Sequence, residues 1–85
     1  MEAQKPTHPI KKIRKAHKLT QAELAILLDT TANFFSQVEG GFSEIPASLL
    51  LKICNQFDLD PEKVYNDLIG YKENYKKYLI GRLDA

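Results

Sequence analysis

Residues 19–41, LTQAELAILLDTTANFFSQVEGG, limit what this chain can fold into more than any other stretch. Thr20 reads as a helix N-cap, and Glu23 three residues on completes a capping box. Leu24, Ala25, Leu27 and Leu28 follow as the apolar positions of a short helix ending near Leu28. Asp29-Thr30 makes a tight turn. Thr31 caps the next helix, on which Phe35 and Val38 share one face, and Gly40-Gly41 ends it. Two short helices joined by so tight a turn form the helix-turn-helix plan. Ala25 is the small residue that lets the two helices approach. Leu24, Leu28, Phe35 and Val38 supply their shared core.

The flanking sequence continues helix after helix. Ile10, Ile13, Ala16 and His17 mark one face of a first helix that starts near Pro9 and stops around Lys18. Residues 42–46 form a loop. Ala47, Leu50, Ile53, Cys54 and Phe57 repeat at three- and four-residue spacing as a fourth helix. Asp60-Pro61-Glu62 opens a fifth, with Asp as cap, Pro at the first position and Glu in the first turn. Val64 and Leu68, with Tyr65, face its core. Gly70 is expected to interrupt it, and the stripe of Tyr71, Tyr75, Tyr78, Leu79 and Leu83 predicts a separate sixth helix. No strand pattern competes, so the fold class is all-α. The expected organisation is an N-terminal arm over 1–9, a helix-turn-helix domain over 10–69 and a C-terminal helical extension over 70–85.

Composition removes several function classes. Eighty-five residues suit one small domain, and a single cysteine excludes an internal disulfide. The spacings of His8, His17 and Cys54 match no zinc motif. No apolar run approaches a membrane span, and the N-terminal MEAQKPTHPIKK lacks the apolar core of a secretory signal. The expectation is a cytoplasmic protein, bacterial or phage-encoded and nucleoid-associated, with no cofactor and no metal. No catalytic constellation is present, so it is not read as an enzyme. Cys54 reads as a buried apolar group, and His8 and His17 as surface or helix-end residues.

Charge is distributed unevenly. Residues 1–18 carry a net +5, residues 19–51 a net −4, residues 52–71 a net −2 and residues 72–85 a net +2. No Lys or Arg lies between Lys18 and Lys52, and the loop Phe42-Ser43-Glu44-Ile45 is acidic.

The run Leu19-Thr20-Gln21-Ala22-Glu23-Leu24-Ala25, then Leu28, Thr31 and Phe35-Ser36-Gln37-Val38-Glu39-Gly40-Gly41, resembles the lambdoid phage repressor and Cro-type (xenobiotic-response-element class) helix-turn-helix family. The resemblance spans residues 10–69, with Asp58-Leu59-Asp60 standing before the fifth helix. It implies a five-helix repressor-like DNA-binding domain that inserts its third helix, 31–39, into the major groove of double-stranded DNA, usually as a homodimer. Residue by residue, Gln21 matches a glutamine that hydrogen-bonds a phosphate, a contact that sets register without reading sequence. Ala32, Asn33 and Gln37 match positions that meet base edges. Asn and Gln can pair with adenine, and an Ala methyl can meet a thymine methyl. Thr31 and Ser36 stand where they reach phosphates. Arg14 and Glu39 match a structural ion pair. Phe34, next to inward Phe35, is expected to point outward, either to thymine methyls or to a protein partner. The tyrosine stripe of 71–78 either covers the core or forms a dimer interface.

The chain also departs from the family pattern. Asp29 replaces the usual turn glycine, and Gly40 a frequent asparagine. The basic gap between Lys18 and Lys52 leaves phosphate neutralisation to Lys5, Lys11, Lys12 or the C-terminal lysines, which implies a shallow salt dependence. The alternative function is a helix-turn-helix domain that acts mainly as a protein-binding module.

Overall fold

The computed structural model describes residues 4–84; residues 1–3 of the expected arm and Ala85 of the expected extension lie outside the described residues. Five helices follow one another: α1 (Pro9–Ala16), α2 (Gln21–Leu27), α3 (Ala32–Glu39), α4 (Ala47–Phe57) and α5 (Pro61–Leu83). Among the described residues there is no strand.

Four of the five starts have a side-chain cap, and α4 follows Pro46 without one. Thr20 Oγ1 accepts from the Glu23 N–H at 3.1 Å, while Glu23 Oε1 accepts from the Thr20 N–H at 2.9 Å. Thr31 Oγ1 accepts from the Phe34 N–H at 3.1 Å, and Asp60 Oδ1 from the Glu62 N–H at 3.1 Å. Each bond satisfies an amide that the helix itself leaves open. The turn between α2 and α3 closes with Asp29 at φ 55° and the Thr30 N–H bonded to the Ala25 carbonyl at 2.9 Å. Asp adopts that left-handed conformation at lower cost than most residues, so the turn forms without glycine.

The core sits where α1, α2, α3, α4 and the start of α5 meet. Ile10, Leu24, Phe35, Val38 and Ile53 are fully buried, with Ala25, Leu28, Leu50, Cys54 and Val64 completing the cluster. Burial raises the Cys54 pKa, holding its thiol protonated.

One expectation is corrected. There is no separate sixth helix: α5 runs for 23 residues straight through Gly70. A glycine costs a helix about 1 kcal/mol, and long-range packing outweighs that here. Tyr71, the next residue, is buried with the His8 ring edge-on at 4.7 Å between centroids. Of the two places expected for His8, surface or helix end, the structure has the helix end. His8 caps α1 with Nδ1 accepting from the Ile10 N–H at 3.1 Å, and it is 6% exposed. Burial, partly opposed by the charge of Glu39, drives its pKa down to about 4. The tyrosine stripe, read as core cover or a dimer interface, makes contacts within the chain. Tyr71 and Tyr75 lie 5.7 Å apart, Lys5 stands over the Tyr75 ring, and Arg82 over the Tyr78 ring.

Candidate nucleic-acid interface

With Phe35, Val38 and Glu39 buried, the opposite face of α3 has to look outward. Asn33, Ser36 and Gln37 are exposed on that face, Thr31 is exposed at its cap, and Ala32 is half-buried. The Thr31 hydroxyl oxygen already accepts the Phe34 amide, which leaves its proton free to donate. Gln37 Oε1 accepts from Ser43 Oγ at 3.3 Å. That bond occupies the carbonyl end of the amide, and the NH2 end remains available. Ser43 was not singled out in the sequence; its position beside Gln37 depends on the turn that follows α3.

Phe34 does not point outward as expected. It is half-buried, packs on the core cluster and meets Phe35 edge-to-face at 5.4 Å. Residues next to each other on a helix stand about 100° apart, so Phe34 reaches the flank of the core face rather than its opposite side. The exposed aromatic of this region is Phe42, at 80%. Its ring lies over Gly40, where a Cβ would stand 2.9 Å from Phe42 Cδ2. The bare Gly40 makes room for that ring.

Behind the exposed face lies a polar clamp that joins three helices. Arg14 Nε and Nη2 of α1 donate to the two carboxylate oxygens of Glu39 of α3, each at 2.8 Å. Arg14 Nη1 donates to the Leu19 carbonyl at 2.8 Å, and Gln21 Nε2 of α2 donates to Glu39 Oε1 at 3.2 Å. Burial resists ionisation of Glu39, but the bonds from Arg14 and Gln21 and the charges of Arg14 and Lys11 overcome it, holding its pKa below the usual carboxylate value. The two forks match in a planar, bidentate geometry that orients α1 against α3.

The clamp also changes the electrostatics. Glu39 is neutralised by Arg14, and Glu44 pairs with Lys72 of α5. Of the four acidic residues in the Lys- and Arg-free stretch, only Glu23 and Asp29 stay without a cationic partner among the described residues.

Two short helices held at a tight turn, the second with an amphipathic division between core and polar outer face, define a helix-turn-helix DNA-binding domain. The chain belongs to the Cro/C1-type helix-turn-helix DNA-binding domain family, whose model matches residues 9–73. It is similar to antitoxin PezA of Streptococcus pneumoniae serotype 4 (strain ATCC BAA-334 / TIGR4), 36% identical over 61 residues that cover 72% of this chain and 36% of that protein. The chain thus spans little more than a third of that relative's length. No solved structure matches it. No helix among the described residues is long and apolar enough to cross a membrane.

Proposed function

We propose that the chain is a sequence-specific transcriptional regulator that lays α3 in the major groove and acts as a dimer on a two-fold site. The observation that carries this reading is the outer face of α3: Asn33, Ser36 and Gln37 exposed in a row on a helix whose orientation is fixed from behind by the Arg14–Glu39–Gln21 clamp. Family membership and the likeness to a protein named an antitoxin support a regulatory rather than catalytic role.

In this reading Asn33 and Gln37 read adenine edges and the Ala32 methyl meets thymine, each base contact contributing about 1–3 kcal/mol of discrimination. Thr31 and Ser36 donate their hydroxyls to phosphates. Gln21 gives one amide proton to Glu39 and offers the second to a phosphate at the start of α2. Phe34, set at the flank of the core, holds the first turn of α3 and offers its ring edge to a thymine methyl. Lysines of the arm and α1 attract the duplex at long range.

Selection from a random duplex library at about 50 mM salt, where weak phosphate contacts still count, tests the proposal. Enrichment of a two-fold motif with A·T-rich half-sites about 34 Å apart is the expected result. No enrichment by the folded protein would overturn it and favour a protein-binding role, with exposed Phe42 as its first contact.

A further inference from the structure

The polar side chains on the outer face of α3 differ in what restrains them. Gln37 Oε1 accepts from Ser43 Oγ at 3.3 Å, whereas Asn33 makes no side-chain hydrogen bond among the described residues. Ser43 is the anchored member of the pair: it is half-buried and Gln37 is exposed. Its loop is tied on both sides. Before it, the Gly41 and Phe42 N–H groups donate to the Val38 and Gln37 carbonyls at 3.1 and 2.9 Å. Gly41, at φ 84°, turns the chain back toward α3. A Cβ at Gly41 would stand 3.1 Å from the hydroxyl of Tyr71, which is itself buried and without a hydrogen-bond partner among the described residues. Both the left-handed φ and this close approach call for glycine there. After Ser43, Glu44 pairs with Lys72 of α5, and Ile45 packs against the core cluster. The loop thus holds the Ser43 hydroxyl, six positions along the chain, beside the end of an outward-facing side chain.

We infer that Ser43 is a positioning residue for base recognition: its hydroxyl holds the Gln37 amide in one orientation and so sets which base edge that amide accepts. A glutamine left to itself turns about three side-chain torsions, and ordering them at the moment of binding costs affinity. Its amide also presents either end. The NH2 group donates to guanine N7 and O6 or to thymine O4, and the carbonyl accepts from cytosine N4. Adenine needs both ends in a set order, with Nε2 donating to N7 and Oε1 accepting from the N6 amino group. A carbonyl oxygen has two lone pairs. Adenine pairing uses the one on the Nε2 side and leaves the other to the Ser43 hydroxyl, so the two bonds form together. Binding another base edge through a turned amide requires breaking the bond to Ser43. The hydroxyl therefore favours adenine twice, by ordering the side chain before DNA arrives and by opposing the alternatives. Asn33, on the same face, has no such restraint and serves as the internal control.

This inference rests on the reading of Gln37 as a base-contacting residue. Equilibrium binding of the full chain to a duplex from the library selection, and to duplexes with one base pair replaced, tests it. Ser43→Ala should lose roughly 2- to 10-fold of discrimination at the pair that Gln37 contacts, what one neutral hydrogen bond contributes. Discrimination at the other pairs, that of Asn33 included, should not change, nor should the circular dichroism spectrum. Ser43→Thr, which keeps the hydroxyl, should restore it. In a Gln37→Ala background Ser43→Ala should have no further effect. An equal loss on every duplex, or a loss that persists without Gln37, would show a phosphate contact or a displaced loop and overturn the inference, as would unchanged discrimination. A second measurement needs no DNA. Three-bond couplings in the free chain should show one rotamer for Gln37 and averaging in Ser43→Ala; averaging already in the unsubstituted chain would overturn the role of Ser43 and leave the reading of α3 standing. A Gln37 held in one rotamer, with no duplex at which Gln37→Ala alters discrimination, would instead overturn the reading of α3 and the role of Ser43 with it.

Discussion

Replacing Glu39 by Gln tests whether the three-helix clamp holds the recognition helix. The substitution preserves the side chain's volume and a hydrogen-bonding group for Gln21, but it removes the charge facing Arg14. The Arg14 and Glu39 side chains are 11% and 4% exposed, with both oxygens bonded at 2.8 Å. An exposed pair contributes up to ~1 kcal/mol, whereas a buried cation left without its partner costs about 3–5 kcal/mol. The buried geometry places Glu39→Gln in the second range. A domain of this length has a total stability of roughly 4–13 kcal/mol, so the variant would lose a large share of it. Urea unfolding followed by circular dichroism measures the effect. With an m-value near ~1 kcal/mol/M for so small a chain, the midpoint should fall by about 3 M. A double variant, Arg14→Met with Glu39→Met, removes both charges and fills the space with apolar groups. It should be more stable than Glu39→Gln alone. A loss below ~1 kcal/mol in Glu39→Gln, or a double variant no better than the single one, would refute the reasoning.

Three further outcomes are expected. His8 is neutral in the fold with a pKa of about 4, against 6.5 when unfolded, so between those values the unfolded chain binds more protons. Its contribution to stability is present above pH 6.5 and is lost as the pH falls toward 4, about 2 kcal/mol of it between pH 7 and pH 5; His8→Asn, which keeps a capping acceptor, should flatten that slope in urea titrations, and an unchanged slope would rule His8 out. Gly70→Ala should raise stability by about 0.5–1 kcal/mol, because the residue is helical and a Cβ there meets nothing within 4 Å; destabilisation in thermal melts would restore a helix break at this point. Lys18 sits at φ 57° just past α1, where the Leu19 N–H bonds back to the Arg14 carbonyl at 3.1 Å, so Lys18→Gly should stabilise the domain by up to about 1 kcal/mol in the same melts.

The parts of the fold that were legible in the sequence are those fixed by neighbours a few residues away. Thr20 with Glu23, Thr31, and Asp60-Pro61 each announce a helix start because the group that satisfies the open amide lies within one turn. The exposure of Asn33, Ser36 and Gln37 follows from helical period once Phe35 and Val38 are set inward. Misreadings arose where a distant residue decided the outcome. Gly70 reads as a break by propensity, yet Tyr71 beside it is anchored by His8, 63 positions earlier. His8 reads as a surface or helix-end residue; it is the cap of α1, and nothing near it in the sequence shows that a tyrosine will cover it. Glu44 reads as part of an acidic loop, since Lys72, which neutralises it, comes from another helix. Phe34, expected to point outward, finds the edge of the core, while Gly40 lets the Phe42 ring lie across the end of α3.

The claim that α3 reads base edges is tested most directly by comparing the chain with Gln37→Ala on one selected duplex and on a set of duplexes with a single A·T pair replaced. The unsubstituted chain should lose about 1–3 kcal/mol of binding at the pair Gln37 contacts, roughly 5- to 150-fold. Gln37→Ala should bind the original duplex more weakly and no longer distinguish the two at that position, with its fold unchanged. Equal discrimination by both proteins at every base pair would contradict the reading of α3 as the recognition helix.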